Sequence, residues 1–298
     1  MRLGAFEINE PLPELQDPHV IAVLRPWINV GRVGTLALSR LEQHFGAKDL
    51  GQLARPGAFY DFTRYRPRTR FVNGKRVLNI PNTFLKYAQR EDGHDLLFLH
   101  MREPHYLGED YSESIIEVMK YFQARRYCLI GGMYDVVPHT RDLLVSGSGT
   151  SPDPETQLEG LGVRSSRYEG PTTITYMVTQ ETERMGMQNM TLIARLPQYV
   201  QLEEDHAGTA KLLELLSSFY PLPPDLADVD KGRRQYQELT AAVEQNPEVK
   251  QVLSQLEAQY DAQESTSSAT TSAADVPLSP ELESFLRGLE QDLGNDSA

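Results

Sequence analysis

The sequence has a single cysteine, Cys128, in 298 residues. One thiol excludes an intrachain disulfide and a cysteine-built metal site. Its place inside the apolar run 127–130 suits a small buried hydrophobe better than a reactive thiol. Long apolar runs are also missing. None approaches the ~20 residues of a membrane span, and acids and prolines stand near the start, where a targeting segment would carry a basic opening and an apolar core. These absences predict a soluble chain in a reducing, cytoplasmic compartment with no membrane partner. Excess positive charge is missing as well. The formal charge is −13; residues 1–202 hold 23 acidic and 23 basic side chains, and residues 203–298 hold 19 acidic and 6 basic ones. A neutral body with an acidic last third repels phosphate backbones, and no Lys/Arg run interleaved with aromatics is expected, so nucleic acid is not an expected partner.

Signature motifs of catalysis are scarce. There is no His-Glu-x-x-His and no cysteine pair; His100 and His105 stand five apart across Pro104, and His19 and His44 are remote. No metal site and no cofactor are expected. Ser146-Gly147-Ser148-Gly149 lacks the spacing of a nucleophile elbow. Gly31-Arg32-Val33-Gly34 lacks both the third glycine of a dinucleotide fingerprint and the Lys-Ser/Thr of a phosphate loop.

What is present is an alternation of strand and helix patterns. After a proline-rich lead-in, strands are predicted at 19–24, 50–54, 95–101, 127–130, 171–179 and 190–196, and helices at 32–45, 111–124, 154–161 and 209–219. Asn73-Gly74 inside a β-rich stretch predicts a hairpin over 63–80. The region 146–154 reads as loop. This pattern implies a three-layer α/β/α domain over 1–222. Helix formers at 231–244 and 247–263 predict a helical hairpin appendage over 223–263. Residues 264–278 form a Ser/Thr/Ala tract with too little apolar area to order, a disordered linker. Residues 279–298, with Leu282, Phe285, Leu286 and Leu289, read as a terminal amphipathic helix suited to a groove on a partner.

Two segments gather chemistry where predicted strands end, the place at which open α/β sheets hold ligands and partners. The first is the loop from Trp27 through Asn29 and Gly31 to Gly34, whose N–H groups lie at a helix start and could cradle an anion. The other reading is a tight turn for close helix packing. The second is Asp135 followed by Pro138-His139-Thr140-Arg141. An imidazole oriented by a carboxylate beside a guanidinium has the groups for acid–base work on an anionic substrate. In the bland reading it is a structural turn or a partner contact. Glu103-Pro104-His105 reaches the same sheet edge.

Trp27-x-Asn29-x-Gly31, Phe59-Tyr60-Asp61-Phe62 before Arg66-Pro67, Glu103-Pro104, Asp135-x-x-Pro138-His139-Thr140-Arg141 and Tyr168-Glu169-Gly170-Pro171 occur in this order. The order resembles the proteasome assembly chaperone 2 family, in its bacterial form, over about residues 18–262. The resemblance implies a phosphorylase/hydrolase-like fold with a mixed sheet, a helical appendage and self-association as a trimer or tetramer. In eukaryotic and archaeal relatives it implies a role in assembling or binding proteasome core particles, and the leading expectation is a non-enzymatic, chaperone-like interaction protein acting on proteasome core subunits or related protease complexes. The alternative is a small-molecule enzyme or ligand binder using Asp135, His139, Arg141 and Glu103. The family loop's usual aspartate is absent, with Ile28-Asn29-Val30 in its place, and Asp142 stands where a proline often follows Thr-Arg.

Overall fold

The computed structural model describes residues 1–150, 152–166 and 168–267. The expected linker beyond 267 and the terminal segment with Leu282, Phe285, Leu286 and Leu289 lie outside the described residues. The N-terminal lead-in is more regular than its prolines suggest. It forms β1 (Arg2–Leu3) and β2 (Phe6–Ile8), paired antiparallel. The first apolar run becomes β3 (His19–Arg25), buried over 19–24. In α1 (Val33–His44) the buried residues Val33, Ala37, Leu38 and Leu41 recur at the three- and four-residue spacing of one helix face. β4 (Lys48–Leu53) follows. Asn73 and Gly74 adopt φ of 49° and 77°, the left-handed pair that a type I′ turn needs. They join β5 (Arg68–Val72) to β6 (Lys75–Asn79), a two-stranded sheet of its own.

β7 (Phe84–Ala88), β8 (Leu96–Arg102), α2 (Gly108–Tyr121) and β9 (Arg126–Asp135) come next, then β10 (Val145–Gly149), α3 (Pro152–Gly160) and α4 (Ile174–Arg184). β11 (Gln188–Pro197), α5 (His206–Ser217), α6 (Val229–Glu244) and α7 (Pro247–Ser267) complete the described chain. Two predictions fail here. The β-branched stretch 171–179 is not a strand but the start of α4, because Ile174, Thr175, Val178 and Thr182 form a buried helical stripe that runs past the β-rich residues. Burial along a stripe outweighs a weak intrinsic propensity. Ser146-Gly147-Ser148-Gly149, read as loop, is instead edge strand β10, held by antiparallel pairing with β11.

The main sheet has the order β1-β2-β4-β7-β8-β3-β9-β11-β10. Its centre, β8-β3-β9-β11, is parallel, and both wings are antiparallel. Alternate residues of the central strands feed two cores. Ala22, Leu24, Leu99, Met101 and Leu129 pack under α2 and α4, while Ile21, Val23, Phe98, Ile130 and Leu192 pack under α1 and α5. Each such Leu, Ile, Val, Met or Phe side chain contributes about 1.5–3 kcal/mol on burial. These three layers put the carboxyl ends of four parallel strands along one edge. Cys128, near the start of β9, is fully buried in the core under α1 and α5, and burial pushes its thiol up to about 12.

Candidate functional site

Residues 138–141 leave the end of β9 and meet the C-terminal helices. His139 is only 4% exposed. Its backbone N–H donates to the Tyr199 hydroxyl at 2.9 Å, its Nδ1 contacts the same hydroxyl, and its Nε2 lies 3.1 Å from Thr240 Oγ1 on α6. Burial holds this imidazole below its ordinary pKa, against a weaker pull from Glu257. Thr140 Oγ1 donates to Glu257 on α7 at 2.5 Å. The Arg141 guanidinium forks onto Asp261 through Nε and Nη2, both at 2.8 Å, and reaches Glu257 through Nη1 at 3.2 Å. Val136 and Tyr199 pack against Val252 and Leu256 beneath this polar clamp.

The acid–base pair of the enzymatic alternative is not assembled. Asp135 pairs with Arg195 on β11 and accepts the Val136 N–H at 2.7 Å, so its carboxylate does not orient His139. Glu103 turns to the other face of the sheet, where its carboxylate accepts the Ile174 N–H at 2.9 Å and 3.3 Å and satisfies the open start of α4. Its half-burial raises its pKa. The convergence predicted for Glu103 and His139 is thus replaced by two separate helix-docking contacts.

The loop after β3 has a similar internal role. Asn29 accepts the Thr35 N–H at 3.0 Å and donates to Thr35 Oγ1 at 2.9 Å, tying down the first turn of α1. Gly31, at φ 55°, accepts the Asp205 N–H at 2.8 Å; a Cβ there would lie 2.7 Å from Asp205 Cβ. A Cβ on Gly34 would lie 2.9 Å from the Ile130 carbonyl. Asp205 caps α5 through the Gly208 N–H at 2.7 Å and accepts the Tyr236 hydroxyl of α6 at 2.9 Å. Trp27, by contrast, is 63% exposed.

The feature that sequence reasoning missed is the surface of the β5–β6 hairpin. Every residue of both strands is exposed, Phe71 to 70% and Leu78 to 55%. Residues 64–76 also hold six basic side chains and no acid. The expectation of no Lys/Arg run interleaved with aromatics is wrong for residues 64–76, because charge averaged over residues 1–202 conceals the run. Its signal was the alternation of arginine at 64, 66, 68 and 70 with Tyr65 and Phe71.

A three-layer α/β domain with a mixed sheet, its strand-end segment bolted to its own helical hairpin, defines the structural class. The PAC2 family model matches residues 23–244, and the chain belongs to the PAC2 family. It is similar to a protein of unknown function from Corynebacterium glutamicum, with 21% identity and a TM-score of 0.76 over 88% of this chain and 98% of that one. It is similar to a Mycobacterium tuberculosis proteasome-assembly chaperone homologue, at 22% identity and a TM-score of 0.69 over 78% of this chain and 99% of that one. A third is PbaB of Pyrococcus furiosus, an archaeal proteasome activator, at 18% identity and a TM-score of 0.61 over 80% of this chain and 98% of that one. At these identities the likeness concerns the fold. No curated protein matches the sequence.

Proposed function

We propose that the chain is a self-associating, non-enzymatic protein-interaction factor of the assembly-chaperone type, acting on protease complexes such as the proteasome core. The β5–β6 hairpin carries this reading. An isolated two-stranded hairpin is marginally stable in water, and this one exposes Phe71, Val72, Val77, Leu78 and Ile80 together. Open strand edges with apolar side chains are templates for association. A second copy of the chain fits as the occupant, because six basic residues at 64–76 complement the acidic residues 203–298 of another protomer. The chaperone homologue of M. tuberculosis and the archaeal activator support the direction of the reading. So does the His139 region, whose polar groups already serve the helical hairpin.

Light scattering coupled to gel filtration tests it. Wild type is expected to run as a trimer or tetramer, and the double variant F71S/L78S as a monomer with an unchanged circular-dichroism spectrum. Equal masses for both would overturn the assignment of the hairpin. Residues 279–298, with Leu282, Phe285, Leu286 and Leu289, are the segment proposed to engage the protease. Capture of its subunits by the full chain, lost when the chain ends at Gln263, checks that part.

A further inference from the structure

Five arginines line one cleft of about 500 Å³ at the base of the β5–β6 hairpin: Arg25, Arg64, Arg66, Arg68 and Arg102. Its lining includes no acidic residue. The floor is the unusual part. Arg25 and Arg102 end the adjacent parallel strands β3 and β8 and occupy partnered positions in the ladder. Like charges directly opposed across a sheet destabilise it. Both side chains are partly buried, and the Nε–H of each is buried without a hydrogen-bond partner. Asn82 Oδ1, on the same wall, is a buried acceptor without a partner. Three of the five orphaned buried side-chain atoms among the described residues therefore meet in this cleft.

Local aromatics hold the guanidinia without neutralising them. Arg25 lies over the Phe84 ring at 5.8 Å and Arg102 over the Tyr65 ring at 5.3 Å, so the planes are preset while the donor edges stay open. Burial, and then repulsion from Arg102, push the Arg25 guanidinium down to about 10. On the rim, the nearest carboxylate to Arg64 is that of Asp61, 4.0 Å away and already engaged by Thr63. Uncompensated buried charge and unmade hydrogen bonds both cost stability, and an anion on the floor removes both costs at once.

We propose that this cleft binds a small multivalent oxyanion, a phosphate or carboxylate compound whose oxygens bridge Arg25 and Arg102. A hydroxyl on the same ligand would satisfy Asn82. The size lies within the range of small-molecule sites, and the fork geometry of guanidinium matches both oxyanions bidentately. This goes beyond the interaction reading: the floor residues Arg25 and Arg102 lie outside the hairpin, and of the five arginines only those on the rim, Arg64, Arg66 and Arg68, are shared with the surface assigned to a second copy.

Isothermal titration of the full chain with pyrophosphate and with citrate, at matched ionic strength, is the test. Citrate brings carboxylates and a hydroxyl, and pyrophosphate brings phosphoryl oxygens alone, so the stronger ligand identifies the source of the oxyanion. Binding is expected at one site per chain and should weaken at least about tenfold, or 1.4 kcal/mol, in R25Q/R102Q. It should stay within about twofold in the charge-matched control R125Q/R184Q and in F71S/L78S. Equal losses in the first two variants, or no binding of either probe by wild type, would overturn the site. Should R25Q/R102Q fail to fold, thermal unfolding of wild type decides: the preferred probe raises Tm above sodium chloride of equal ionic strength, and equal Tm values sink the proposal.

Discussion

Among the described glycines, Gly131 would set an added Cβ nearest to another atom. A Cβ there would lie 2.1 Å from the Ile28 carbonyl oxygen, which accepts the Gly132 N–H at 3.0 Å as the loop after β3 rejoins β9. The obstacle is backbone, so no rotamer change relieves it. G131A is expected to cost about 1–3 kcal/mol or more in urea unfolding. G160A, with nothing within 4 Å of the new Cβ, should lie within about 0.5 kcal/mol of wild type. Equal midpoints for the two variants would show that the loop moves aside. The glycine pair was visible in the sequence as punctuation after an apolar run. Its partner at Ile28 was not, since that contact joins positions about a hundred residues apart.

Among the elements, α7 is the one held by side chains more than by core. It buries Val252, Leu253 and Leu256 and is tied to the strand end through Arg141, Thr140 and the Tyr260 hydroxyl, which donates to the Asp142 carbonyl at 3.1 Å. Exposed ion pairs contribute little to global stability, but they decide whether a lightly packed helix opens on its own. R141A should therefore speed hydrogen exchange in residues 247–263 while the global unfolding midpoint barely moves; unchanged exchange there would mean that apolar packing alone holds α7. The helical character of this region was legible from its composition. Its docking site was not, because nothing local in Pro138-His139-Thr140-Arg141 distinguishes a catalytic turn from a clamp. α4 shows the converse, a helix hidden by β-branched residues that its buried stripe requires.

For the molecule as a whole, buried histidines set the response to acid. His19 is pushed down to about 3 by burial, with Arg126 next, and His100, His139 and His206 are lowered, each chiefly by burial. The unfolded chain takes up protons near pH 6.5 that the native state refuses, so stability is complete above that pH and falls as pH drops toward 3. The lowered carboxylates of Asp17 and Asp261 act in the same direction at lower pH, and the raised ones of Glu103 and Asp205 oppose it. Urea midpoints at pH 7.5, 6 and 5 should decrease in order, with a shallower decrease in H19Q. A flat series in wild type would contradict the burial of these rings.

Local periodicity reports burial, and burial made the three-layer architecture and the parallel apolar strands legible in the chain alone; turn chemistry at Asn73-Gly74 did the same for an exposed hairpin, and composition for the C-terminal helices. Packing at long range decided the rest. The pairings of β2 with β4, β4 with β7 and β10 with β11, the pairing of Asp135 with Arg195, the docking of His139 on Thr240 and the meeting of Arg25 with Arg102 all join distant positions. A register between strands is set by the whole sheet, so two arginines 77 positions apart become neighbours for reasons that neither one's local sequence contains.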